Sequence, residues 1–213
     1  DAFSWRQAFD DFDRSGSGGS ISLNYPVTAF GYDTVWGMPL EEVRVGLDYR
    51  AELADISGLG FNATRSIRLE EGKSFISSVT PRLSRNTLNH AFDPTAGSLQ
   101  SLSLQVAGLG GERFLKAEVR ERWYYTFLHS KEWGDFTYSL GASYGYGVGD
   151  SGVDGDQLPL FERYFPGGIN TIRGFKARTL GPREEAKDRY GRIIGTSPIG
   201  GTQEAILNNE IIF

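Results

Sequence analysis

The sequence predicts an all-β fold, an antiparallel sheet of about eight strands joined by turns and loops. Three observations predict it. Apolar residues recur with a period of two in segment after segment, glycine-rich or polar stretches separate those segments, and the composition is that of strands and turns. The 213 residues include 28 Gly, 14 Phe, 10 Tyr and 4 Trp and no cysteine. Length and apolar content suffice for one domain.

The period is cleanest at 136–147, where Phe136, Tyr138, Leu140, Ala142, Tyr144 and Tyr146 alternate with Thr137, Ser139, Gly141, Ser143, Gly145 and Gly147. At 43–53, Val43, Val45, Leu47, Tyr49, Ala51 and Leu53 alternate with Arg44, Gly46, Asp48, Arg50 and Glu52. Residues 19–27 set Ile21, Leu23, Tyr25 and Val27 against Ser20, Ser22 and Asn24, and 101–106 set Leu102, Leu104 and Val106 against Ser101, Ser103 and Gln105. At 115–127, Leu115, Ala117, Val119, Trp123, Tyr125 and Phe127 oppose Lys116, Glu118, Arg120 and Arg122. Glu121 falls on the apolar side of that strand and breaks its pattern. Weaker alternation marks 2–12 (Phe3, Trp5 and Phe9 against Ser4 and Arg6), 75–83 and 202–213.

If each strand reverses direction, the connections 10–18, 56–73, 107–112 and 148–201 lie at one end of the sheet. The two longest connections therefore share a rim. A connection of some fifty residues far exceeds the usual loop limit of roughly 15, which marks it as the functional candidate. Long loops on one rim and aromatics near strand ends (Trp5, Tyr25, Trp36, Trp123, Tyr125, Phe127, Trp133) are features of transmembrane barrels. A soluble barrel or sandwich also alternates, so the pattern leaves open which face points inward. In a membrane barrel the charged face must line the lumen, because Lys or Arg facing lipid at mid-depth costs about 2–4 kcal/mol.

Net charge −5 argues against a nucleic-acid partner, and no segment approaches the roughly 20 apolar residues of a membrane helix. Gly141-Ala142-Ser143-Tyr144-Gly145 matches a nucleophile elbow in letters only: it lies inside a strand pattern, and His90 and His129 fall in turns. Residues 11–16 copy the first half of a calcium loop, but Ser22 stands where a bidentate Glu is required. Asp150, Asp154 and Asp156 read as a solvated loop tip. No catalytic, metal or cofactor site is expected, and the chain is not expected to be an enzyme.

The segment Leu160-Phe161-Glu162-Arg163-Tyr164-Phe165-Pro166-Gly167-Gly168-Ile169-Asn170-Thr171-Ile172-Arg173-Gly174-Phe175 resembles the signature of the BamA superfamily: an aromatic stretch, a Gly-Gly turn and a Val/Ile-Arg-Gly-Phe/Tyr tetrapeptide. Gly181-Pro182, the turn Phe92-Asp93-Pro94-Thr95-Ala96-Gly97, Gly200-Gly201 and Asn209-Glu210 resemble other family segments. The resemblance implies an incomplete antiparallel transmembrane β-barrel in the bacterial outer membrane, roughly the fifth to twelfth of about sixteen strands. Residues 1–213 would be one partial barrel, with 148–201 as the sixth extracellular loop folded into the lumen. It also implies that POTRA domains, the gate strands, a later Phe-x-Asp-x-Gly strand and a terminal aromatic signal lie outside this chain.

In the family the loop arginine reaches acids on the wall strand that follows, so Ile172, Arg173, Gly174 and Phe175 are the expected loop motif and Glu210 the expected lumen partner of Arg173. Phe175 is expected to pack against the wall. The implied function is non-enzymatic insertion of β-barrel proteins, with unfolded outer-membrane proteins, accessory lipoproteins and outer-membrane lipid, including lipopolysaccharide, as partners. The alternatives are a two-partner secretion or TamA-like transporter of the same superfamily, and a passive porin.

Overall fold

The computed structural model describes residues 1–9, 12–35, 38–151, 155 and 157–213. In chain order the strands among them are β1 (Ala2–Ala8), β2 (Asp13–Pro26), β3 (Thr34–Val35), β4 (Met38–Pro39), β5 (Val43–Ser57), β6 (Gly72–Asn86), β7 (Ala96–Ala107), β8 (Phe114–Ser130), β9 (Gly134–Gly149), β10 (Arg183–Lys187), β11 (Ile193–Pro198) and β12 (Gln203–Ile212). Helix is confined to a 3-10 turn at Val27–Phe30 and to α1 (Arg65–Leu69). Eight strands form one antiparallel sheet in the order β1-β2-β5-β6-β7-β8-β9-β12, and two small hairpins, β3-β4 and β10-β11, stand apart from it. No described helix is long and apolar enough to cross a membrane, so any crossing is made by strands.

Register turns the period-two pattern into two surfaces. Tyr25, Val45, Leu83, Leu102, Val119, Tyr144 and Ala205 are successive partners across seven strands, so they form one row on one face. One residue along, Asn24, Gly46, Arg82, Ser103, Glu118, Gly145 and Glu204 form the adjacent row on the other face. A slip of one residue in any pair would exchange the two faces of that strand, which is why so regular an alternation specifies register strongly. Leu23, Leu47, Leu102, Val119, Tyr144 and Leu207 on the first face are all exposed, with no protein layer over them. The described part of the long connection, 157–202, crosses the second face, with Leu158 over Gly147, Tyr164 over Gly145 and Asn208 bonded to Thr171.

Two boundaries differ from the sequence expectation. Residues 13–18 are strand rather than loop, and the first hairpin closes tightly, with the Phe9 amide donating to the Phe12 carbonyl at 2.8 Å and the two rings 4.8 Å apart. The Gly/Ser run reads as a turn, but its glycines serve close packing. A Cβ on Gly16 would lie 2.7 Å from the Trp5 ring, and one on Gly18 would lie 2.8 Å from Glu52 Cα. The β8–β9 hairpin is longer than expected, so His129 lies at the end of β8 and pairs with Asp135.

The first strand also faces the opposite way from its apolar pattern. Trp5 pairs with Gly16 and Phe3 with Gly18, which puts both aromatics on the polar, loop-bearing face, where Arg14 lies 4.6 Å over the Trp5 ring. Trp5 is therefore not a girdle residue. Trp123 and Tyr125 do lie on the outer face, and Phe127, Phe136 and Phe213 form a ring cluster near the 131–133 turn. Trp36 and Asp11, like Asp154 and Asp156, lie outside the described residues.

Buried apolar side chains gather at the long-loop end, between the wall and the loops. Ala54, Ile76, Ala107 and Phe114 of the wall pack with Leu158 and Tyr164, and Ile56 packs with Ala63, Ile67 and Leu160. With this sidedness, Leu47→Arg or Val119→Arg should lower stability in lipid vesicles by about 2–4 kcal/mol if the residue sits near mid-depth. Ser103→Arg, on the wetted face, should change it by roughly 0.5 kcal/mol or less. Denaturant unfolding of the whole protein in vesicles, followed by tryptophan fluorescence, measures both; equal effects would mean that the faces are inverted.

Candidate functional site: a loop seated on the inner wall

The inner face of β9 carries small residues where others would carry side chains. Gly141, Ser143, Gly145 and Gly147 leave a smooth track that the loop occupies. Tyr164 lies over Gly145 and Leu158 over Gly147. A Cβ on Gly145 would come within 2.6 Å of Tyr164 Cε1, and one on Gly147 within 2.9 Å of Leu158 Cγ. Missing side chains on the wall are thus the seat of the loop.

The track is flanked by charge. Arg50 of β5 and Lys116 of β8 both reach the carboxylate of the buried Glu162, Lys116 at 3.5 Å. Lys116 also lies 4.7 Å over the Tyr164 ring and 3.4 Å from Glu118, while Arg50 reaches Glu52 at 3.5 Å. Burial, then the negative charge of Glu118, raises the Tyr164 phenol above its ordinary pKa, so it stays neutral.

Arg163 points the other way and is 5% exposed. Its guanidinium donates to the Leu158 carbonyl at 2.7 Å, the Ile199 carbonyl at 3.2 Å and the Glu70 carboxylate at 2.9 Å. Glu70, just past α1, also accepts the Leu160 amide. Desolvation lowers the pKa of Arg163 and raises that of Glu70, each opposed by the charge of the other. A buried fork satisfied on several sides by fixed acceptors is a rigid tie between the two long loops.

Beyond this root the loop closes on itself in nested steps. Tyr164 and Gly201 exchange both backbone bonds at 2.9 Å, Leu180 donates to the Pro166 carbonyl at 3.1 Å, and Gly168 donates to the Phe175 carbonyl at 3.0 Å. Gly167, Gly168 and Gly174 all have φ between +85° and +116°, the left-handed region where a side chain would be strained. The tip they define meets β12. Asn208 donates to the Thr171 carbonyl at 3.1 Å, and Arg173 forms an ion pair with Glu210.

Four of the five residues singled out in the sequence therefore lie at the tip and one on the wall, and the structure brings Arg173 and Glu210 together. The pair is partly open, with side chains 59% and 35% exposed. Ile172 is half-buried. Phe175 is 54% exposed, more open than the packing expected of it. Phe165 supplies the buried contact instead: the Arg178 guanidinium stacks on it at 3.9 Å and lies 4.9 Å from Phe9. Burial and the nearby charge of Arg14 lower the Arg178 pKa to about 10.

A family model described as the Omp85 superfamily domain matches residues 3–213. The chain belongs to the Omp85 superfamily. It is 32% identical over its whole length to an outer membrane protein assembly factor BamA from Nitratidesulfovibrio vulgaris, of which it covers 24%. It is 28% identical over 61% of its length to the BamA of Neisseria meningitidis serogroup B, covering 15% of that protein. A SAM50-like protein from Schizosaccharomyces pombe is 28% identical over 71% of the chain, which covers 29% of it. The chain thus spans a quarter or so of the curated relatives. Its fold superposes on the crystal structure of BamA from Haemophilus ducreyi lacking POTRA domains 1–3 with TM-score 0.75 and 17% identity, over 98% of this chain and 40% of that one. This Omp85 sheet is therefore part of a larger barrel of the bacterial outer membrane, its exposed apolar face towards lipid and its loop-bearing face towards the lumen.

Within that Omp85 frame, sequence reasoning missed the root of the loop: Glu162, Arg163 and Tyr164 with Arg50, Lys116 and Glu70. A signal existed in the adjacent acid and base inside an aromatic run, and in the Gly/Ser column on β9. Arg163→Ala leaves Glu70 buried without its partner, and the expected destabilisation is about 3–5 kcal/mol. Gly145→Val should displace Tyr164 without touching any charge. Limited proteolysis of the folded protein should detect both as faster cleavage within 157–201, with the strands left intact.

Proposed function

We propose that this chain is the wall and internal loop of an assembly factor that folds and inserts β-barrel proteins into the outer membrane. The observation that carries the reading is the loop pinned across the inner wall at root and tip, from Glu162 and Arg163 to the Arg173–Glu210 pair. The names borne by the bacterial relatives support it.

The physical logic runs from wall to gate. A loop fastened to β5, β8, β9 and β12 ties these strands into one stiff arch, so yielding is confined to strands beyond it. An opening there would offer unpaired backbone groups to an incoming strand, which pairs by edge addition. Such a factor does no covalent chemistry and holds no cofactor; its work is pairing, positioning and local disturbance of lipid. Its partners would be unfolded outer-membrane proteins, accessory lipoproteins of an assembly complex, and outer-membrane lipid with lipopolysaccharide.

A charge-swap test addresses the tip. In cells that depend on this protein, Arg173→Glu and Glu210→Arg should each lower the level of folded outer-membrane proteins several-fold, and the double variant should restore it. A whole protein that, in vesicles, fails to speed insertion of a urea-unfolded barrel, or that gives only a large steady single-channel conductance, would point to a passive porin instead.

A further inference from the structure

The outer face of the sheet is mainly apolar, with Arg85 on β6 and Asn209 on β12 among its polar exceptions, and it carries one polar track. On β6, β7 and β8, Thr87, Ser98, Gln100 and Glu121 face outward, as their pairing with Leu83, Leu102 and Val119 two or four residues away requires. Thr87 and Ser98 hydroxyls lie 3.0 Å apart, Gln100 donates to Ser98 at 2.9 Å, and Gln100 is the register partner of Glu121. The track climbs from the 87–95 turn into the apolar belt. On either side, Val43, Val45 and Leu47 of β5 and Tyr138 and Leu140 of β9 keep the ordinary apolar pattern.

Glu121 at its head is exposed, and the described residues offer it no cation. Arg120 and Arg122 alternate to the inner face, and Arg85 is held by Glu42 at 3.3 Å. A carboxylate facing hydrocarbon without a counter-charge is unfavourable. Its surroundings suit one kind of counter-charge. The Trp123 indole donates to Glu121 at 3.4 Å, drawing the carboxylate towards the turn end of the strand, and across the ladder stands the small Ala142. An acid beside an exposed indole face, in a niche left by a small residue, matches an ammonium group, which takes both an ion pair and a cation–π contact.

We propose that Glu121 and Trp123 bind the primary ammonium head group of a phospholipid that stands on the outer wall of β7 and β8. With strands tilted by about 40°, Glu121 lies only ~5 Å beyond Trp123 in depth, within reach of a head group at the aromatic level. The bound ammonium neutralises Glu121. The inference rests on the outer-membrane reading but not on the insertion activity.

The test is native mass spectrometry of the whole protein released from vesicles of equal phosphatidylethanolamine and phosphatidylglycerol. The folded state is first verified by its gel mobility shift on heating; absence of that shift would fault the membrane-barrel reading rather than the lipid site. Folded wild type should retain phosphatidylethanolamine over phosphatidylglycerol by several-fold. Glu121→Gln should abolish the preference and Trp123→Leu should reduce it, while Glu132→Gln, in the β8–β9 turn, should leave it intact. No preference in wild type, a preference that survives Glu121→Gln, or a polypeptide in place of lipid would each overturn the proposal.

Discussion

A strand that crosses a bilayer cannot turn lysine or arginine towards lipid without losing about 2–4 kcal/mol each, and this chain places Arg44 and Arg50 of β5 and Lys116, Arg120 and Arg122 of β8 on the face opposite the apolar one. That obligation sets the register of the sheet, because each pair must present its charges to the same side. It also creates a second problem. An inner wall bearing Arg50, Lys116, Arg120 and Arg122 needs acids and water opposite it, and a loop that enters the lumen must bring its own compensation. Glu162 meets that need for Arg50 and Lys116, and Glu118 serves Lys116 and Arg120 from the wall itself.

The loop is held unequally along its length. Its root combines apolar burial with buried charge: Leu158, Leu160 and Tyr164 fill the gaps between wall and loop, and Arg163 is enclosed by carbonyls and Glu70. Breaking a pair in such surroundings costs about 3–5 kcal/mol, whereas exposed pairs contribute roughly 0–1 kcal/mol. The Arg173–Glu210 contact lies between these limits but nearer the second, since the arginine is more than half exposed. The root is therefore the stronger anchor and the tip the weaker one.

Glycine has two meanings in this chain. At Gly167, Gly168 and Gly174 it permits positive φ, which shapes the loop tip. At Gly16, Gly145 and Gly147 the backbone is extended and the absent Cβ makes room for Trp5, Tyr164 and Leu158. Sequence pattern distinguishes these poorly, so the run from Ser15 to Gly18 read as a loop although it is strand. The inversion of β1 has the same origin: the space over Gly16 accepts the Trp5 ring, on which Arg14 stacks, so Trp5 and, with it, Phe3 face the lumen.

By itself the sequence determined the eight strands of the large sheet, their antiparallel order and, through period two, the two faces of β2, β5, β7, β8 and β9. It also marked the long loop and the Arg173 motif, because local alternation and motif spacing are properties of the chain that survive without coordinates. Which residues fasten the loop was decided only by tertiary structure. Arg50, Glu70 and Lys116 stand far from Glu162 and Arg163 in the chain, and nothing local distinguishes them from other charges on a wetted face. Their meeting depends on the stagger of β5 against β8 and on where the backbone of 157–165 comes to lie. The same holds for Phe175, whose 54% exposure no local pattern announces.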